Sequence, residues 1–452
     1  MQPTVNKGFG FLFEMGCGKT LTAIATMGAM YNAKAIKKVL IVAPTSVVSV
    51  WPKEFDEYAD FKYKVNVLLG TKQKRIAQLE ELERFPFEAL LVAAINYEST
   101  WRDGIYDKII AWQPDLVICD ESQRIKTHDS QQSKAMHEIG DIAKYKLILS
   151  GTPVQNNIVD LFSQYRFMDP KVFGTNFYAF RNKYCIMGGF NNKQVLGIKQ
   201  SMKSDLIKRE YSQAYRVTKE ECLDLPEQMF ETRVLAFDDK ERKLYDQLKK
   251  SSIAELENGG QISAPTVLTK LLRLQQLTGG FLIKDESDKP EQVSDVKIKA
   301  LEDIIDDYVG ETGKKLVIFA RFRAELDLIE KLIKKKKLGY GMIYGDVKLE
   351  ERGNIVKDFQ TNPDTKIFLA QIDTAGLGIT LTAADTCVYY SLNFNYAAYS
   401  QSLARIHRIG QKNCCTYIHL VIEKTVDELI LKALSKKEEL AKNIVDTWRE
   451  YF

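Results

Sequence analysis

The stretch Glu14-Met15-Gly16-Cys17-Gly18-Lys19-Thr20 holds the residue types that grip a nucleoside triphosphate. Gly16 and Gly18 let the backbone approach phosphates, Lys19 adds a point charge, and the Thr20 hydroxyl suits Mg²⁺. The full phosphate-loop pattern has a glycine five residues before the Gly-Lys pair, where this chain has Phe13. The shorter Gly-x-Gly-Lys-Thr therefore takes its weight from its surroundings. Asp120-Glu121-Ser122-Gln123 lies about a hundred residues on, after another apolar run. Asp120 would hold Mg²⁺ and Glu121 would orient and polarise an attacking water. Alone, the two acids read equally as a solvated strand end; beside a phosphate loop they read as a metal and water pair. Ser150-Gly151-Thr152-Pro153 offers hydroxyls that can bond the acidic pair, or a simple turn. Arg405 and Arg408 are three apart, so on a helix they share one face; a helix is expected over 396–406. Aimed at a transferring phosphoryl group, such an arginine is worth about 10³–10⁵ in rate. A basic helix end that serves the dipole is the alternative.

The elements that must position these residues follow from hydrophobic patterning. Apolar runs at 9–13, 39–43, 89–95, 116–119 and 146–149 do not alternate, which predicts strands buried on both faces. Helical patterns between them predict an α/β parallel sheet, with ligands at the carboxyl ends of the strands. From 160 to 295 the alternation fades. The aromatic stretch 162–184 reads as partly helical core, 188–192 as a turn, 240–256 and 266–277 as amphipathic helices, and 284–294 as a charged linker. Strands return at 316–319, 342–344, 367–370, 387–390 and 417–422. Helices are expected at 325–337, 349–359 and 426–448. Lys334 to Lys337 reads as a solvated helix end. The expected division is an N-terminal nucleotide-binding lobe over 1–170, a helical insertion and linker over 171–295, and a C-terminal lobe over 296–452.

At 452 residues there is room for two to three domains, and 45% hydrophobic with 27% charged residues is a globular composition. A net charge of +4 permits nucleic-acid binding without demanding it, so any basic surface must be local. The seven cysteines form no CxxC and no metal-type cluster, which favours reduced thiols. Residues 1–10 hold no apolar signal region and no run reaches membrane-spanning length. The expectation is a soluble cytoplasmic protein with no membrane partner.

Five ordered motifs carry a resemblance: Glu-Met-Gly-x-Gly-Lys-Thr, Asp-Glu-Ser-Gln-Arg-Ile-Lys, Leu-Ser-Gly-Thr-Pro-Val-Gln-Asn, Ala-Gly-x-Gly-Ile-Thr-Leu-Thr-Ala-Ala and Arg-Ile-His-Arg-Ile-Gly-Gln. From Gly10 to about Leu434 the chain resembles superfamily 2 helicase-like ATPases of the Swi/Snf branch, which are ATP-driven translocases on double-stranded DNA. The resemblance implies two RecA-like lobes of the P-loop NTPase class, with ATP and Mg²⁺ held between them. It assigns the phosphates to Gly16, Gly18, Lys19 and Thr20, Mg²⁺ to Thr20 and Asp120, and water activation to Glu121 with Gln123. Gly378 and Gln401 would touch the nucleotide from the second lobe, where Arg405 and Arg408 act in trans. Pro44 and Thr45, with the segment near Asn96-Tyr97, would meet the DNA backbone from the first lobe. Residues 319–321 (including Arg321), Gly345, Thr374 and Thr380 would do so from the second. Backbone contacts give affinity and register rather than sequence reading.

Three positions depart from the family pattern. The glutamine that usually reads adenine from a helix upstream has no counterpart, since about a dozen residues precede Glu14 and Gln2 is too close. Gln123 stands where a histidine is usual, keeping hydrogen bonds and losing titration. Cys17 replaces a usual leucine, either as an inert packer or as a thiol activated by the helix N-terminus and Lys19. Two alternatives to a duplex translocase stay open: a strand-separating or RNA helicase, and a nucleotide-regulated DNA clamp without turnover.

Overall fold

The computed structural model describes residues 7–45, 47–189, 194–257, 264–283 and 289–441. The chain forms two compact units, Met1–Asp224 with Lys437–Phe452, and Leu225–Lys436.

In the first unit the uninterrupted apolar runs become β1 (Gly8–Phe13), β2 (Lys38–Ala43), β4 (Leu90–Asn96), β5 (Leu116–Asp120) and β6 (Tyr145–Leu149), joined by β3 (Tyr63–Val67). A hairpin of β7 (Cys185–Gly188) and β8 (Gln194–Ile198) precedes β9 (Ala214–Val217). Seven strands form one sheet in the order β3-β4-β2-β5-β6-β1-β9, every pair parallel. Alternate residues feed two apolar layers. Leu40, Val42, Val117, Cys119 and Ile148 pack on one face, and Val39, Ile41, Leu116, Ile118 and Leu149 on the other. Each such side chain contributes about 1.5–3 kcal/mol on burial, and covering both faces is what fixes the parallel arrangement. The strand order sets β5, β6 and β1 side by side, so the three motifs that follow them emerge at neighbouring carboxyl ends.

The second unit contains β10 (Gln228–Leu235), a hairpin of β11 (Phe281–Ile283) and β12 (Pro290–Gln292), then β13 (Leu316–Ala320), β14 (Gly339–Ile343), β15 (Thr365–Gln371), β16 (Thr386–Tyr389) and β17 (Cys415–Ile422). Six of these form a second parallel sheet in the order β10-β17-β16-β13-β15-β14. The helix Arg323–Lys335 buries Leu326, Ile329, Leu332 and Ile333 on one face. Its basic end is salt-bridged locally, Lys334 to Glu330 at 3.0 Å and Lys336 to Asp306 at 2.6 Å. Among the described residues no helix is long and apolar enough to cross a membrane.

The stretch 171–295, expected as a helical insertion and linker, supplies strands to both sheets. Its strand β9 completes the first sheet and its strand β10 opens the second, so the units divide at Asp224/Leu225. Arg216 interrupts β9, and Glu231, Thr232 and Arg233 interrupt β10, so neither reads as a continuous apolar run. The linker expected at 284–294 includes β12, where Pro290 is tolerated at the start of a two-stranded edge; residues 284–288 lie outside the described residues. The turn expected at 188–192 begins at Gly189 (φ 71°), with 190–192 outside the described residues. The closing helix is Val426–Ala441, and 442–448 again lie outside. So does Gln2.

Candidate functional site

Gly16 and Gly18 hold φ angles of 88° and 81°, the left-handed region that favours glycine. Gly18 begins the helix Lys19–Asn32, and no side chain caps that end. A Cβ on Gly18 would meet nothing within 4 Å, so the backbone there is open to a ligand. The Lys19 ammonium folds back onto the carbonyls of Phe13 (2.8 Å) and Glu14 (3.2 Å). Burial lowers its pKa, against the opposing charges of Glu121 and Asp120. These features fit a polyphosphate: first-turn N–H groups, the positive helix end and a movable ammonium face one side of the loop.

Asp120 ends β5 as a buried carboxylate. Burial, then the charge of Glu121, pushes its pKa up to about 7, while Lys19 and a hydrogen bond from Trp51 pull the other way. A buried acid held up in this manner is suited to a cation, which would restore its charged form. Glu121 is left-handed at φ 53°, a strained conformation for a non-glycine residue. Its carboxylate accepts from Gln123 Nε2, and Gln123 Oε1 accepts from Ser150 Oγ at 2.7 Å. Ser150 Oγ in turn accepts from Thr152 N at 3.1 Å. The hydroxyl motif thus reaches the acids through Gln123. Thr152 Oγ1 is buried with no partner among the described residues. Gly151 allows this strand end to press on the phosphate loop: a Cβ there would lie 3.3 Å from Phe13 O and 3.5 Å from Lys19 Nζ.

Arg216, on β9, is a residue that sequence reasoning missed. It is buried, and its guanidinium donates to Leu12 O (2.9 Å), Gly151 O (3.1 Å) and Glu14 Oε1 (2.9 Å). Glu14 Oε2 also accepts from Lys219 N at 3.0 Å. The strand end, the hydroxyl motif and the loop mouth are therefore tied at one point. Nothing in the sequence spacing marks it, since its partners come from two segments, 12–14 and 151, both distant from it in the chain.

In the second unit the helix ends at Leu403, so Arg405 and Arg408 lie beyond it rather than on one helical face. Beyond Leu403 the backbone pairing changes: Arg405 N donates to Ser402 O (3.1 Å), Leu403 O accepts from Tyr417 Oη (2.6 Å) as well as from His407 N (3.4 Å), and Arg405 O accepts from Leu381 N (2.9 Å). The two guanidiniums nonetheless converge, Arg405 at 3.4 Å and Arg408 at 3.3 Å from Ile379 O. Arg408 also reaches Gly378 O at 3.4 Å, where Gly378 turns the chain at φ 70°. Gln401 is part-exposed on the last turn of the helix.

The residues expected at a nucleic-acid backbone also lie at strand ends. Pro44 follows β2 and opens a turn through Val47 N and Val48 N. Thr45 is exposed and donates to Glu98 Oε2 at 3.3 Å, which also accepts from Asn96 Nδ2 at 2.8 Å. Arg75 donates to Asn96 Oδ1 at 2.9 Å. In the second unit Arg321 follows β13 and Gly345 follows β14. Gln371, closing β15, joins them: its Oε1 accepts from Gly345 N (3.2 Å) and its Nε2 donates to Arg321 O (3.2 Å). Thr374 Oγ1 donates to Gln371 O at 2.6 Å, and Thr380 is part-exposed after Gly378. Gln371 is the second residue that sequence reading missed; a polar residue closing an apolar strand was its only signal.

The thiol of Cys17 is not activated. Burial first, then Cys222 and Glu14, push its pKa up to about 12, outweighing Lys19.

A phosphate loop on one parallel sheet, its acids two strands away, and a second parallel sheet without such a loop define a two-lobed P-loop protein. The chain belongs to the family of the SNF2-related domain, whose model matches residues 6–279; the helicase conserved C-terminal domain matches residues 296–410. Each of its two units is built on a parallel sheet, the α/β class expected from the sequence. Among similar proteins, an uncharacterized ATP-dependent helicase, MG018, of Mycoplasma genitalium is 26% identical over 95% of this chain and 39% of its own length. A DNA repair and recombination protein RAD54-like of Drosophila ananassae is 27% identical over 96% of this chain and 59% of its own. This chain therefore spans between about two fifths and three fifths of those relatives. A Sulfolobus solfataricus SWI2/SNF2 ATPase core in complex with dsDNA aligns over 98% of this chain and 89% of its own, at 22% identity and a TM-score of 0.42.

Proposed function

We propose that this chain hydrolyses ATP in response to double-stranded DNA and couples turnover to movement along the duplex. The observation that carries this reading is the hydrogen-bonded set Glu121, Gln123 and Ser150 beside Asp120 and Lys19, whose charges act on one another, at the carboxyl ends of β1, β5 and β6. ATP binding would draw Lys19 from the Phe13 and Glu14 carbonyls onto the phosphates, exchanging one set of charge-assisted hydrogen bonds for another. Glu121, fixed by Gln123, would polarise the attacking water, and Ser150 would hold Gln123 in place. Thr20 and Asp120 would hold Mg²⁺, which when bound neutralises charge on the phosphates. Arg405 and Arg408 serve the transferring phosphoryl group in trans, and Gly378 and Gln401 the nucleotide. Thr45, Arg321, Gly345, Thr374 and Thr380, at strand ends in both units, take the DNA backbone.

The test is an ATPase assay with duplex DNA, single strands and RNA in parallel. Duplex should stimulate most, and Lys19→Ala and Glu121→Gln should each lower stimulated turnover by about 10² or more. Unchanged rates in both variants would sink the proposal. Best stimulation by single strands or RNA would favour the helicase reading, and tight duplex binding without nucleotide affinity the clamp.

A further inference from the structure

Cys17 sits between the two left-handed glycines of the phosphate loop, and Cys222 ends the short helix Lys219–Cys222. The two are far apart in sequence, yet residues 219–223 run beside the loop closely enough for Cys222 to contribute to the upward pKa shift of Cys17, while Cys222 Sγ donates to Thr218 O at 3.2 Å. Their neighbours meet as well: a Cβ on Gly16 would touch Leu223 Cδ1 at 3.8 Å. Lys219 N holds Glu14 Oε2 at 3.0 Å, and Leu223 N closes the short helix on Lys219 O at 2.8 Å. Residues 219–223 thus lie along the loop, fastened at Glu14 and packed at Gly16, which Cys17 follows. Both thiols are free, Cys222 exposed and Cys17 half-buried. Of the other cysteines, Cys119, Cys185, Cys387 and Cys415 are buried and Cys414 is exposed in the second unit.

We propose that Cys17 and Cys222 form a reversible disulfide that shuts the phosphate loop against nucleotide when a hydroperoxide is present. The proposal rests on reading the loop as the ATP grip. In the first step the exposed Cys222 thiolate attacks the peroxide O–O bond. Its sulfur is oxidised to a sulfenic acid, and the second peroxide oxygen leaves as water after protonation. In the second, the Cys17 sulfur gives up its proton and attacks the Cys222 sulfur. The S–S bond forms, the S–O bond breaks, and hydroxide leaves as water with that proton. A dithiol reductant reverses the sequence. The order follows access, because Cys222 meets solvent while burial keeps Cys17 a thiol at neutral pH. Glycines on both sides of Cys17 give the loop freedom to meet disulfide geometry.

The linked loop would be pinned in the arrangement described above, with Lys19 committed to the Phe13 and Glu14 carbonyls. Capture of a triphosphate requires Lys19 to leave those carbonyls and the adjoining N–H groups to turn onto the anion. A tether through Cys17 opposes both movements.

The experiment treats the full chain with hydrogen peroxide. It then maps peptides by mass spectrometry without reduction and titrates a fluorescent ATP analogue before and after dithiothreitol. A Cys17–Cys222 linked peptide, at least a tenfold loss of nucleotide affinity, and recovery on reduction are expected. Cys222→Ser should keep its affinity through the same treatment, and Cys414→Ser should respond as the unsubstituted chain does. No linked peptide, a linked peptide without loss of affinity, or equal loss in Cys222→Ser would each overturn the proposal. Failure of the reduced chain to bind the analogue would instead overturn the ATP reading, and the peptide map would still decide whether the thiols pair.

Discussion

Arg216 donates to the Glu14 carboxylate at 2.9 Å across 202 residues of sequence, and the same guanidinium holds the carbonyls of Leu12 and Gly151. An almost fully buried cation is thereby matched to one carboxylate and two carbonyl acceptors beside the phosphate loop. Replacing it with methionine leaves Glu14 short of its counter-ion and both carbonyls short of a donor. Arg216→Met should cost the first unit about 3–5 kcal/mol, the range for breaking one side of a buried pair. Urea unfolding checks this. The double variant with Glu14→Gln should lose less than the sum of the two single variants, because the uncompensated carboxylate is then gone. Additive losses would mean the two residues do not act together.

Asp120 carries a pH signature. Its folded pKa, held near 7, lies above the ordinary value of 3.8. The folded state therefore holds its proton more tightly than the unfolded chain. The associated stability is full below pH ~4 and lost as the pH rises through 7. Asp120→Asn should be more stable than the unsubstituted chain at pH 8, by about 1 kcal/mol or more, roughly 2–4 °C in melting temperature. The gain should shrink toward pH 5, and ATP turnover should fall in the same variant. Melting curves at the two pH values decide it; a gain independent of pH would point to packing instead.

Gln371 joins Gly345 and Arg321 without carrying charge. Gln371→Leu should weaken duplex binding several-fold while leaving the salt dependence unchanged. Arg321→Ala should instead lower the slope of log affinity against log salt by about 1. Binding isotherms at three salt concentrations separate the two. Equal slopes in both variants would remove Arg321 from the DNA surface.

Gly279 packs where a Cβ would collide with Glu325 Oε1 and approach Gln275 O at 3.3 Å. Glu325 is fully buried, and its other oxygen accepts from Arg321 N, Phe322 N and Ser391 Oγ, so it has little room to move. Gly279→Ala should cost the second unit about 1–3 kcal/mol through overpacking. A change within 0.5 kcal/mol on thermal or urea unfolding would show that Glu325 yields.

The elements legible in the sequence were those whose physics is local. β1, β2, β4, β5 and β6 read directly from unbroken apolar runs, and Lys19, Asp120 and Glu121 from the turns that follow them. β3 was missed because Tyr63–Val67 alternates Lys64 and Asn66 with apolar residues at an edge, each of them half-buried. β9 and β10 are also edge strands, each interrupted by charged residues, Arg216 in one and Glu231 and Arg233 in the other. The helix expected to lead into Arg405 and Arg408 ends at Leu403, where Arg405 N turns to Ser402 O and the following chain is held by Tyr417 and Leu381, which the local pattern does not show. Arg216 and Gln371 escaped notice because their partners are assembled only by the sheets.

The placement of β9 has a consequence for synthesis. Gly10 to Phe13 pair on one side with Ala214 to Val217, yet about 200 residues separate the two strands. At roughly 5–20 residues per second, a ribosome would release β1 some 10–40 s before its outer partner exists. Through that interval one edge of β1 stays open to pairing with other chains, and the Leu12 carbonyl and Glu14 wait for Arg216. Within this sheet, the strand that leads into the phosphate loop precedes the other six, and its outer partner is the last of the seven. Chaperone demand and aggregation during expression should therefore track the arrival of residue 217 rather than the completion of any earlier strand.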